Sequence, residues 1–145
     1  MTLVPLTPQQ GHADAAARDG AARAREALRM TLQSADGRWV LVQRDGAAAE
    51  LALSSAAGDG VATDVIDRTF VEKGTRWIID YKTAQKVGTP RVLSTGRVGD
   101  TAIETHADQF RPQLQRYARL FADEGLPVRF AVFYAALGRL VELEA

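Results

Sequence analysis

Two apolar runs, Val65–Val71 and Arg76–Tyr81, stand either side of the polar link Glu72-Lys73-Gly74-Thr75. No other stretch of the chain limits the fold as tightly. Runs rich in β-branched and aromatic residues, joined by a short polar link with a glycine, form a hairpin. In an antiparallel hairpin the start of one strand lies beside the end of the other. Asp67 stands near the start of the first run, and Asp80 and Lys82 at the end of the second. All three are expected at one end of the pair. Asp80 and Lys82 are two positions apart, so they project from one face.

Two carboxylates at one point can hold Mg²⁺, which takes a few carboxylate oxygens together with water and phosphate oxygens. Such an ion lowers the pKa of bound water and polarises a phosphoryl group. A lysine alongside can orient the attacking water and stabilise charge building on the phosphate. The same residues also fit a plainer account, with Asp67 a solubilising strand end and Asp80–Lys82 a surface ion pair. Position favours the first account. Asp80 follows Trp77-Ile78-Ile79, which reads as a buried strand. A carboxylate at the end of such a strand is costly unless it is paired or bound to metal.

The segments Ile66-Asp67 and Asp80-Tyr81-Lys82-Thr83, followed by Gln113 and Tyr117 at Gln-x-x-x-Tyr spacing, occur in that order. In this the chain resembles the PD-(D/E)XK nucleases, and more closely the RecB/AddA-type nuclease domain at the C-terminus of UvrD-like helicases (the exonuclease V beta subunit family). The similarity runs from about Ala22 to the C-terminus. It implies an α/β, restriction-endonuclease-like fold, a mixed central sheet flanked by helices. It implies a metal-dependent DNA exonuclease domain of a helicase–nuclease that acts in double-strand-break repair and recombination. Asp67 and Asp80 would bind Mg²⁺ (or Mn²⁺) with the Tyr81 carbonyl, and Lys82 would complete the catalytic set. Gln113 and Tyr117 would brace the site or contact DNA; on their own they read as packing and surface residues. Related nucleases begin the entering strand with an acidic residue. Glu50 stands there, as metal-site support or as an exposed strand-start charge.

One family feature is absent. The G-x-x-x-H helix that precedes the sheet in RecB-type nucleases has no match. Gly11-His12 has the wrong surroundings, and His106 follows the hairpin, near an expected helix start. The resemblance therefore implies an N-terminally truncated nuclease domain, one metal ligand short. The competing expectation is a catalytically incomplete nuclease-fold module that binds DNA or a partner subunit.

The chain has 145 residues, enough for one domain with a core. Met1–His12 reads as an irregular leader and 13–145 as a single domain. Cysteine is absent, which excludes disulfides and thiolate metal sites and suits a cytoplasmic setting. No apolar run nears the roughly 18 residues that cross a membrane. No signal peptide is evident. The formal net charge is zero. A free-standing DNA-binding domain carries a basic excess or a basic face, so DNA would be held mainly by parent helicase domains or a partner subunit. There is no phosphate-binding P-loop and so no ATP site.

Elsewhere the pattern gives a helix over about Ala13–Gln33 with a possible break at Gly20. It gives a turn at Ser34–Gly37, a short strand or arm at Arg38–Gln43, and a turn at Asp45-Gly46. A strand follows at Glu50–Ser54 and a loop at Ala56–Gly60. Lys86–Thr105 is expected as a long loop whose Lys86, Arg91 and Arg97 border a DNA path or are simply disordered. A helix is expected at Ala107–Asp123, with Pro112 in its first turn. Strands at Pro127–Ala135 and Arg139–Leu143 finish the sheet. The arginines of the first helix meet phosphates or form a solvated face.

Overall fold

The computed structural model describes residues 8–82 and 96–145. The expected hairpin forms, as β2 (Gly60–Glu72) and β3 (Thr75–Lys82), joined by a two-residue turn. Lys73 and Gly74 both take positive φ, 49° and 77°. That is the conformation a two-residue hairpin turn needs to match strand twist. β1 (Ala48–Ala57) precedes β2 through a second tight turn at Gly58-Asp59, where a longer loop was expected. β4 (Val128–Tyr134) and β5 (Arg139–Leu143) follow as the pattern indicated.

The five strands form one sheet in the order β1-β2-β3-β4-β5. Neighbours are antiparallel except β3 and β4, which run parallel. A parallel pair needs a crossover. Here the chain between them carries helices α3 (Gly96–Asp108) and α4 (Arg111–Arg119). The molecule is thus an α/β protein with a mixed sheet and flanking helices.

Alternation along β3 and β4 divides the core between two faces. Ile78, Phe130, Val132 and Tyr134 join Ile103, Ala107, Leu114 and Tyr117 from α3 and α4. Trp77, Ile79, Ala131 and Phe133 join Phe70 and Val40 on the other face. Val40 belongs to α2 (Ala35–Leu41), the first correction to the sequence pattern. Arg38–Gln43 looks like a strand because of its Val and Trp residues. The structure makes Ala35–Leu41 a helix, and Ser34 caps it by accepting the Gly37 N–H at 2.8 Å. Trp39 packs edge-on against Phe70 and Trp77. A cap plus two aromatic contacts outweigh weak intrinsic strand preference.

Three further expectations change. α1 spans Pro8–Gln33. It therefore takes in Pro8–His12, read as leader, and passes Gly20 without a break; Met1–Thr7 lie outside the described residues. The long loop expected over Lys86–Thr105 is in part α3, which begins at Gly96 and carries Arg97 on its backbone. Thr83, Lys86 and Arg91 lie outside the described residues. The expected single helix from Ala107 to Asp123 is divided at Gln109-Phe110, and only Arg111–Arg119 forms α4. Pro112 explains the division. It has no N–H to offer the turn before it, and its ring crowds that turn's carbonyl, so it fits only a first turn. A 3₁₀ turn at Ala122–Glu124 then ends at Gly125, whose φ is 74°.

Among the described residues no helix is long and apolar enough to cross a membrane.

Candidate active site

The β2–β3 ladder is regular from the turn to Arg68–Ile79 and stops there. Continuing the same register would set Asp67 opposite Asp80 and Ile66 opposite Tyr81. The strands part instead. β2 continues along β1, with Ile66 beside Leu51, while β3 continues along β4, with Asp80 beside Val132 and Lys82 beside Tyr134. The Tyr81 amide is freed by this parting. It donates to Asp67 Oδ2 at 2.8 Å.

A buried arginine helps fix the point of parting. Arg68 is 9% exposed, and its guanidinium donates to the Val40 carbonyl at 3.2 Å and the Val42 carbonyl at 3.0 Å. These are carbonyls at the end of α2, where a helix leaves acceptors unsatisfied. The α2 terminus is thereby tied to the residue next to Asp67.

Asp80 is 7% exposed. Lys82 Nζ lies 2.9 Å from its Oδ2. The ammonium compensates the carboxylate's charge, and among the described residues Oδ2 meets no other donor. The oxygen is neutralised but not saturated. Burial pushes the Asp80 carboxyl above the ordinary aspartate range; Lys82 opposes this and the nearby Asp67 carboxylate reinforces it. The three side chains expected to converge are therefore together, with Asp80 in the middle.

The other expected residues fall at different distances from this centre. Gln113 and Tyr117 share a face of α4, and the Gln113 amide donates to the Tyr117 hydroxyl at 2.6 Å. Tyr117 is buried in the core under the sheet, next to Leu114. Gln113 is half-buried beside it. Glu50 is exposed and occupies the register position opposite Asp67, with φ at 51°. His12 lies within α1.

Sequence reasoning missed a second group on the helix side. His106 is in the last turn of α3, not near its start. Its Nδ1 is 2.7 Å from the Tyr134 hydroxyl. The Phe110 ring lies under Lys82, with Nζ 4.1 Å from its centroid. No local spacing announced this group, because α3 ends at Asp108 and Phe110 lies at the corner beyond it.

These residues fit a small hard cation. A buried carboxylate and a second carboxylate close enough to raise its pKa are the donors Mg²⁺ or Mn²⁺ takes, the rest being water and phosphate. Among the described residues, no three His, Cys, Asp or Glu side chains gather as a metal group. Among the described residues the site thus offers two carboxylates, Asp67 and Asp80, and Tyr81 follows Asp80 directly in the chain. No protein-family model matches the chain, and no curated protein sequence matches it.

Proposed function

We propose that this chain is a restriction-endonuclease-like nuclease module of the RecB/AddA type, cleaving DNA phosphodiester bonds with a divalent metal in double-strand-break repair and recombination. One observation carries the proposal: the buried Asp80 carboxylate, held between Asp67 and Lys82 where β2 and β3 part.

Asp67 and Asp80 would hold Mg²⁺ or Mn²⁺, with the Tyr81 carbonyl as a further oxygen. The metal, when bound, supplies Lewis acidity and an acidified water. The chain's own residues do the rest. The Tyr81 N–H fixes the Asp67 carboxylate in one orientation. Asp80 holds Lys82 Nζ at the same edge. There the ammonium orients the attacking water and stabilises negative charge developing on the phosphate. The test is metal-dependent cleavage of labelled linear DNA by the wild type and Asp80→Ala. Cleavage should disappear in the variant; undiminished cleavage removes the assignment.

A second reading is a nuclease-fold module that holds DNA or a partner subunit without cutting. Among the described residues two carboxylates gather there and no third, which favours it. Calorimetric titration with Mn²⁺ separates the two. Saturable uptake lost in Asp67→Asn supports the catalytic centre, and no uptake by the wild type supports the binding module.

A further inference from the structure

Lys82 is flanked by more than Asp80. Tyr134 is its register partner on β4 and is 1% exposed. Burial and the charge of Asp80 push the Tyr134 hydroxyl up to about 12, so it stays protonated at neutral pH. It is hydrogen-bonded to His106 Nδ1, at 2.7 Å. His106 in turn packs edge-on against Phe110, with centroids 5.3 Å apart. Burial and the Lys82 charge hold His106 below its usual value, so it too stays neutral. The chain of contacts returns to Lys82 through the face of Phe110.

Phe110 lies at the corner between α3 and α4, and no side chain caps α4 there. The corner's placement over the sheet edge therefore depends on tertiary contacts. The His106–Tyr134 hydrogen bond is a polar one, joining the last turn of α3 to β4 across 28 residues. A lysine side chain has many rotamers to lose, so its ammonium is held in one place only if its surroundings confine it. A carboxylate on one side and an aromatic face on the other do this.

We propose that His106 is a positioning residue for Lys82: bonded to Tyr134 and packed on Phe110, it seats the α3–α4 corner so that the Phe110 ring and the Asp80 carboxylate hold the lysine ammonium between them. The catalytic consequence rests on the nuclease reading; the positioning itself does not.

The experiment compares the full chain with His106→Ala, His106→Asn and Phe110→Leu. Asparagine sets a polar atom near the place of Nδ1 and so keeps a partner for the Tyr134 hydroxyl. The first readout is the NMR shift of the Lys82 ε-methylene protons, which an aromatic face moves upfield. The upfield shift should be present in the wild type, lost in Phe110→Leu, largely lost in His106→Ala and retained in His106→Asn. The second readout is DNA cleavage with Mn²⁺. In His106→Ala kcat should fall roughly tenfold with KM unchanged, as for a misplaced catalytic group, and His106→Asn should restore it. A Lys82 shift unchanged in His106→Ala overturns the proposal, as does equal loss in the alanine and asparagine variants. A wild type that cleaves nothing counts against the nuclease reading, while the shifts still decide the positioning role.

Discussion

Asp67 takes its hydrogen bond from the backbone of the opposite strand: the Tyr81 amide donates to Asp67 Oδ2 at 2.8 Å, where the ladder would otherwise have continued. One carboxylate thus ends the pairing of β2 with β3 and is oriented by doing so. Pairing and site are the same feature of the backbone.

The two jobs of Asp67 separate by substitution. Asp67→Asn keeps an acceptor for the Tyr81 N–H and should leave stability within about 0.5 kcal/mol of the wild type. Asp67→Ala strands a part-buried donor and should cost about 1–3 kcal/mol. Both variants should lose Mn²⁺ binding. Urea denaturation and calorimetry provide the check, and equal stability of the two variants would contradict the assigned hydrogen bond.

Asp80 should cost stability while it serves function. Its folded pKa is raised, so the folded chain binds this proton more tightly than the unfolded chain. Stability from this group is therefore greatest below the unfolded aspartate value, about 3.9, and falls as pH rises through the raised folded value. Asp80→Asn removes the penalty. At neutral pH its melting temperature should exceed the wild type's by about 3 °C, a difference of order 1 kcal/mol, and the gain should vanish towards pH 4. Saturating Mg²⁺ should raise the wild-type melting temperature and leave Asp80→Asn unmoved.

Lys82→Met tests charge against packing. The metal should still bind, since the carboxylates remain. Cleavage should drop by about 10²–10³, the usual cost of losing one group that stabilises transition-state charge. Lys82 holds the Asp80 pKa down. Removing it should move the acid limb of the residual activity to higher pH, because ionised Asp80 is then reached later. A limb that stays in place, measured as rate against pH, would mean another group controls it.

Gly138 joins the two helices at the N-terminal side to the sheet. Its φ is 61°, and a Cβ there would stand 2.7 Å from Ser34 Cβ and 2.8 Å from the Met30 carbonyl oxygen. Both neighbours lie at the α1–α2 junction. Gly138→Ala combines left-handed strain with a clash against backbone, and should cost about 1–3 kcal/mol. Faster amide exchange in α2 and a lower urea midpoint would register it. Gly125→Ala has open space around it, so strain should act there alone and the loss should be smaller.

The hairpin and its acidic end were legible because their causes are local. A two-residue turn at Lys73-Gly74 fixes the register as far as Arg68–Ile79, and so brings Asp67 and Asp80, the next residue of each strand, into one place. Strand alternation then puts Lys82 on the same face. The strands β4 and β5 were legible for a similar reason, being apolar runs bounded by Pro127 and Gly138.

α2 and α3 were not legible, and the reason is tertiary. Trp39 and Val40 have strand-like chemistry, but Ser34 capping and the aromatic surface of Phe70 and Trp77 select a helix. The residues after Gly96 carry little periodicity, yet Ile103 and Ala107, four apart, bury against the sheet and fix α3. With α3 placed, His106 meets Tyr134, a neighbour 28 residues away that nothing in the spacing announces. The order of residues determined which carboxylates meet, because a hairpin's pairing depends only on its turn. The crossover helices decided what stands over the lysine, because their positions depend on which surfaces the completed sheet leaves to be covered.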